Sequence, residues 1–206
     1  MSETTGRLEA AASGAPAKVR GWTLRETLVV AVGGVVFAFL YLGWVQVWLI
    51  VQGLTGPLAM DAMFGFWFCA STFAAYIVRK PGVAFISALI AGATEILAGN
   101  PSGAILMLTA AVQGAGSEVP FAITRWRSYR LPVLLASGAA AAVFSFAYNW
   151  VRFGYWKLAV PLLVTMFVVR IVSGALLGGL LGKVLADAVA RTGVLRGLAI
   201  DAAKRG

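Results

Sequence analysis

Three side chains able to do chemistry fall inside otherwise apolar stretches: Glu95 in "EILAGNPSG" (95–103), and Gln113 and Glu118 in "QGAGSEVP" (113–120). An ionisable group in a membrane span costs roughly 2.5 kcal/mol or more to insert, so by default it faces a polar cavity or a partner. Glu95 stands about one helical turn before "GNPSG", a depth that suits a pocket opening at that end. Gln113 donates and accepts at once, and so fits either the reading of a heteroaromatic ring or a helix-to-helix hydrogen bond. Glu118 lies deeper, ~22 Å along its segment against ~15 Å for Gln113. Ligand contact, on one side, and a buried pairing with an Arg such as Arg125 or with backbone loosened near Pro120, on the other, are equal readings of it.

Other chemistry is closed off. The chain has no His and one Cys, Cys69, so it holds no Cys-x-x-Cys pair, zinc constellation, Ser-His-Asp triad or disulfide. No metal, cofactor or enzymatic activity is expected. "GALLGGLLGKV" (174–184) resembles a phosphate loop only briefly, with Leu177 where Gly is needed and Val184 where Ser or Thr is needed. Its glycines at 174, 178 and 182 instead share one helix face, where small residues admit another helix. Packing inside the bundle is the favoured reading. Gly34 and Ala38 repeat the spacing in the first apolar segment and are the better candidates for docking a separate membrane subunit.

The elements that must hold these residues follow from composition. Of 206 residues 60% are hydrophobic and 12% charged, with a mean hydropathy of +0.87, the signature of an all-α integral membrane protein. Apolar segments at 27–48, 60–78, 83–98, 103–123, 131–151 and 158–184 give six transmembrane helices at ~1.5 Å rise per residue. Residues 1–22 are expected to be a disordered cytoplasmic tail, 23–198 the membrane domain and 199–206 a basic cytoplasmic tail, with no cleaved signal peptide.

Basic residues cluster on alternate connections: Lys18, Arg20 and Arg25; Arg79 and Lys80; Arg125, Arg127 and Arg130; and Lys183, Arg191, Arg196, Lys204 and Arg205. Residues 49–59 and 99–103 contain none, and only Arg152 and Lys157 mark the remaining connection. The positive-inside rule then places both termini in the cytoplasm of a multi-pass protein of the cell membrane. It also accounts for a net charge of +9 and a pI near 10.3 without a nucleic-acid partner. Trp44, Trp48, Tyr148, Trp150, Tyr155 and Trp156 lie towards the outer ends, and Trp67 within the second segment. Most suit an interface belt; the alternative is an inward wall for a flat or cationic solute, which together with an acidic group fits a cationic aromatic ligand. The outer stretch "LIVQGLTGPLAM" (49–60) is suited to cover such a pocket.

Five strings carry a family resemblance: "RKPG" (79–82), "EILAGNPSG" (95–103), "QGAGSE" (113–118), "TRWRSYRLPVL" (124–134) and "RIVSGALLGGLLGK" (170–183). In order, from about Leu24 to Leu198, the chain resembles the YkoE family, the substrate-binding (S) subunits of energy-coupling-factor (ECF) transporters for thiamin and its hydroxymethylpyrimidine precursor. The resemblance implies a six-helix S-component bundle that captures the vitamin from outside. A transmembrane coupling (T) subunit and cytoplasmic ATPases would then drive uptake. It also implies a coupling face of small residues on the first helix, usually Ala-x-x-x-Ala; here Val35 follows Ala31 by four, and Gly34 with Ala38 is the nearest match.

Within that resemblance, Glu95 pairs with the amino group and a ring nitrogen of an aminopyrimidine. Trp67, Tyr148 or Trp150 walls a thiazolium. Asn100, Gln113, Glu118 and Asn149 complete the candidate ligand-binding set. A free-standing secondary transporter or channel for a small cationic aromatic solute is the alternative, and predicts flux from this chain alone. A membrane enzyme predicts turnover, and a purely structural subunit predicts no stabilising ligand.

Overall fold

In a computed structural model, residues 21–56 and 58–205 are described, and all their regular structure is helical. The tail expected at 1–22 lies, except for Gly21 and Trp22, outside the described residues. Helix α1 (Leu24–Thr55) opens on a capping box: Thr23 Oγ1 accepts from the Glu26 N–H at 3.3 Å while Glu26 Oε2 accepts from the Thr23 N–H at 2.7 Å. Glu26 also pairs with Lys80 at 2.7 Å, fixing the start of α1 to the turn that ends the second span.

That second span is broken into α2 (Leu58–Phe64), a 3-10 turn (Gly65–Phe68) and α3 (Cys69–Val78). Arg79 (φ 55°) and Gly82 (φ 80°), both left-handed, turn the chain around Pro81 into α4 (Val83–Leu97). After the "GNPSG" turn come α5 (Ile105–Ile123) and α6 (Leu131–Arg152). The last span runs as α7 (Val160–Ser173), a π-helical stretch (Gly174–Leu180) and α8 (Leu181–Arg191).

Each of the six apolar segments is therefore helical. Among the described residues four helical stretches are long and apolar enough to cross a membrane: Leu24–Gly53, Leu58–Val78, Leu131–Arg152 and Val160–Arg191. The third span, Val83–Leu97, is shorter, and α5 is diluted by Gln113, Ser117 and Glu118. The last described residues, 199–205, lie within the stretch read as a basic cytoplasmic tail. They form α9 (Ala199–Arg205), and Leu195, Leu198 and Ile200 are buried with Val30, Tyr76 and Val78. Arg25 Nη2 reaches the Val194 carbonyl at 3.1 Å, so both described ends of the chain meet at one end of the bundle.

Small residues let the helices close up. A Cβ on Gly92 would stand 2.7 Å from Ala110 Cβ, and one on Gly114 2.8 Å from Ala88 Cβ, which draws α4 onto α5. Gly116 does the same for α5 against Ala140 and Ala141 of α6. Of the glycines four apart in the last span, Gly174 meets the Gly138 carbonyl, Gly178 meets Phe68 and Gly182 meets Cys69 and Thr72. They are an internal seam. Gly34 and Ala38 are also internal: Ala38 is fully buried, and a Cβ on Gly34 would press on Ile90 at 2.7 Å. The expectation that this pair forms a docking face is corrected, because α1 must approach α4 there. Leu28, Val32, Val36 and Phe39 face outward instead.

The seam gives a contrast within one substitution type. Gly138→Ala would drive its new methyl into the Gly174 carbonyl, whereas Gly43 in α1 has nothing within 4 Å. Gly138→Ala is expected to cost about 1–3 kcal/mol of stability by overpacking. Gly43→Ala is expected to be neutral or stabilising by up to about 1 kcal/mol. Thermal melts of the two variants in detergent check this.

Candidate functional site

The end of the bundle away from the chain termini holds a pocket of about 870 Å³, its open mouth included, between α1, α2, α4, α5 and α6. Glu95 lies in its wall on the last turn of α4 and is only 3% exposed. The turn that follows exists to hold it. Gly99 (φ 88°) and Gly103 (φ 63°) adopt left-handed conformations, and the Asn100 N–H closes onto the Glu95 carbonyl at 2.9 Å. The Asn100 side chain accepts from the Ser102 N–H at 2.9 Å and donates to Glu95 Oε2 at 2.8 Å. Glu95 Oε1 has no partner among the described residues.

Facing it are Thr109 and Gln113, one turn apart on α5, and Asn149 and Arg152, three apart on α6. Gln113 is buried with its amide free of hydrogen bonds among the described residues, and Asn149, 1% exposed, leaves Nδ2 without a partner. Arg152 Nη1 donates to Thr109 Oγ1 at 3.0 Å.

The aromatic wall is built by the break in the second span. Phe64 precedes the 3-10 turn and Trp67 lies within it, their ring centroids 5.5 Å apart, and Trp67 meets Trp48 of α1 edge-on at 6.5 Å. Backbone groups loosened by the break are taken up by neighbours, as a low-dielectric setting requires. The Tyr41 hydroxyl accepts from the Ala70 N–H at 2.8 Å, and Ser173 Oγ accepts from the Gly65 N–H at 3.0 Å and donates to the Ala62 carbonyl at 2.6 Å.

Behind Phe64 is a fully buried ion pair between Asp61 of α2 and Arg170 of α7. The guanidinium also reaches the Tyr155 hydroxyl at 3.2 Å and Ser145 at 3.4 Å, and lies 4.2 Å from the Phe64 ring centroid and 5.2 Å from that of Phe146. Asp61 Oδ2 has no partner among the described residues.

Of the residues singled out in the sequence, Glu95, Asn100, Gln113, Trp67 and Asn149 converge on the pocket. Glu118 does not. It lies at the opposite end, where its carboxylate accepts from the N–H groups of Gly82 (2.8 Å), Ala84 (3.0 Å) and Phe85 (3.3 Å) and from Trp126 Nε1 (2.6 Å). It caps the start of α4, satisfying donors that would otherwise be orphaned. Trp150 faces the outer groove between α6 and α7 with Phe146 and Val164, as a belt residue would. Tyr148 stands behind Arg152, its ring centroid 5.9 Å from the guanidinium, and does not line the pocket. Tyr41, Phe64, Thr109 and Arg152 do line it and were missed as ligand contacts. Tyr41 lacked any signal beyond an apolar helix, whereas Arg152 was visible as one of only two cations on its connection.

A sequence-family profile described as "ABC-type cobalt transport system, permease component" matches residues 25–144. Among the described residues no group of three His, Cys, Asp or Glu could hold a metal ion. The "Putative HMP/thiamine permease protein YkoE" of Bacillus subtilis (strain 168) is 42% identical over 182 residues, 88% of this chain and 92% of that protein. This chain belongs to the YkoE family. A crystal structure described as an S-component of an ECF transporter shares the fold, with a TM-score of 0.87, 42% identity, and coverage of 90% of this chain and 94% of that one. The YkoE-family chain is thus a transport component, an S-component-like helical bundle rather than an enzyme.

Two carboxylates outside the pocket, the fully buried Asp61 and the half-buried Glu118, generate expectations about stability. Arg170→Met, which strands Asp61, is expected to cost about 3–5 kcal/mol, and adding Asp61→Leu to recover most of it. Glu118→Ala, which strands four donors, is expected to cost about 1–3 kcal/mol. A double-mutant cycle of melts for the first, and a single melt for the second, measure both.

Proposed function

We propose that this chain captures thiamin or hydroxymethylpyrimidine from outside the cell for ATP-driven uptake by a T subunit and ATPase partners. The observation that carries the reading is Glu95: one oxygen is held by Asn100 and the other is left open in an aromatic-walled pocket. A carboxylate in that state accepts from an exocyclic amine and a protonated ring nitrogen together, the pair an aminopyrimidine presents. Trp67 and Trp48 supply π faces against which a thiazolium or a neutral pyrimidine packs. The name of the Bacillus subtilis relative supports the same ligand class.

Direction follows from charge. Arg25, Arg79, Lys80, Arg125, Arg127, Arg130 and Arg196 belong to the end of the bundle that gathers the chain termini, and the pocket lies at the other. The positive-inside rule makes the terminal end cytoplasmic, so the pocket opens outward in the cell membrane. Capture precedes any energy input, and the partner subunits supply that energy.

Thermal stability of detergent-purified protein, with thiamin, hydroxymethylpyrimidine and riboflavin as separate additions, tests this. A ligand at a hundred times its Kd stabilises the native state by about 2.7 kcal/mol. The expected result is an upward shift with the first two alone, and its loss or sharp reduction in Glu95→Gln. No shift with either pyrimidine would remove the ligand assignment.

A further inference from the structure

The pocket wall opposite Glu95 is out of keeping with a ligand that is only a cation. Arg152 brings a positive charge into the lining, and among the described residues it belongs to no ion pair; those pairs are Lys80–Glu26, Arg170–Asp61 and Lys183–Asp187. Its one hydrogen bond is to the neutral Thr109 hydroxyl at 3.0 Å, and its ring neighbours are Phe153 at 5.0 Å and Tyr148 at 5.9 Å. The Thr109 hydroxyl spends its own proton on the Ile105 carbonyl. One turn deeper on the same face of α6, Asn149 Nδ2 is a buried donor with no acceptor.

The site is therefore polarised. Glu95 supplies an open acceptor on α4, while Arg152 and Asn149 on α6 supply N–H donors and a positive charge. An ammonium or aminopyrimidine satisfies the first side. A thiazolium ending in a free alcohol leaves the second with a like charge and only one neutral hydroxyl acceptor for several donors, an arrangement that costs affinity. An acceptor-rich anion on the far end of the same ligand resolves both, and a guanidinium fork matches phosphate oxygens two at a time.

We propose that Arg152, with Asn149, forms a phosphate subsite, and that the pocket takes the phosphate ester of its pyrimidine ligand in preference to the free alcohol. The inference rests on the thiamin reading above and narrows the substrate class of the same pocket. Phosphate carried by the ligand, rather than free phosphate, is the intended occupant, because Glu95 and Arg152 line one pocket and only the ester carries groups suited to both.

Titration calorimetry with thiamin, thiamin monophosphate, and thiamin in the presence of inorganic phosphate tests it. For the unmodified protein the ester is expected to bind roughly tenfold or more tightly than the alcohol. Free phosphate is not expected to close that gap. The preference should grow as pH rises through about 6, where the ester gains its second charge, a measurement that needs no variant. In Arg152→Gln the ratio of the two affinities is expected to fall about tenfold, with Arg152→Lys between the two.

Equal or weaker binding of the ester, or a ratio unmoved both by pH and by Arg152→Gln, overturns the phosphate subsite and leaves thiamin capture standing. A gap closed by free phosphate also overturns it, since an independent anion would then suffice. Failure of alcohol and ester alike to bind removes both readings together.

Discussion

The buried pair of Asp61 and Arg170 decides where the second and last spans meet, and much of the pocket depends on that meeting. Neither charge has solvent to return to, so the guanidinium must be surrounded by Asp61, Tyr155, Ser145 and two phenyl rings at once. Such a shell forms in one register only. With α2 fixed against α7, Ser173 lies beside both the Gly65 N–H and the Ala62 carbonyl, and the second span departs from α-helical geometry at that point. The last span departs from it at the facing residue, where the π-helical stretch begins. Two irregular segments lie side by side because glycines at 65 and 178 leave little side chain between their backbones, while Gly138 and Gly174 do the same between α6 and the π-helical stretch. The result for function is a tightened turn in the second span whose Phe64 and Trp67 line the pocket.

Two carboxylates of similar sequence context, Glu95 and Glu118, have opposite fates, and geometry supplies the reason. Glu118 finds four donors from the start of α4 and from Trp126, and that saturation makes it a cap. Glu95 is at the other end of the same helix, where the exposed groups of the helix are carbonyls and cannot donate. It gains a single side-chain donor, Asn100, and retains an open oxygen. Helix α4 thus meets at its start a carboxylate of α5 that the protein satisfies, and bears at its end one left for something else. The difference arises from which end of a helix each approaches.

Much of this was legible in the sequence. Hydropathy located all six apolar segments, the alternation of Arg and Lys set apart two ends of the bundle, and a carboxylate before "GNPSG" marked the pocket. What was hidden depended on partners. Glu118 stayed open between site residue and structural pairing because three of its four donors are backbone N–H groups at the start of another helix, which no side-chain pattern reveals. Gly34 and Ala38 looked like an outer face because helical spacing gives a face but not the direction in which it points; the contact with Ile90 decides that. Arg170 sits in an apolar run and was a signal passed over, since a cation at that depth demands a counter-charge and Asp61 was available. Leu195, Leu198 and Ile200 were obscured by the basic residues around them.

The polar groups of the pocket are in place before any ligand arrives. Asn100 is held by its own turn through Ser102 and in turn holds Glu95, so the carboxylate does not have to be ordered by what it binds. Arg152 is steadied by Thr109 on the neighbouring helix. Ordering a rotamer-rich side chain at a binding site costs about 0.5–1.5 kcal/mol each, and here that cost falls on folding. The same logic explains why the charged lining is confined to helix ends. At α4 and α6 the final turns line the open pocket, where Glu95, buried at 3% exposure, is steadied by Asn100 and the half-buried Arg152 by Thr109, whereas Asp61 and Arg170 lie deeper and must pair with each other. A protein that must capture a polar solute at a membrane surface is thereby led to place its open charges at the ends of its spans and its closed pairs within them.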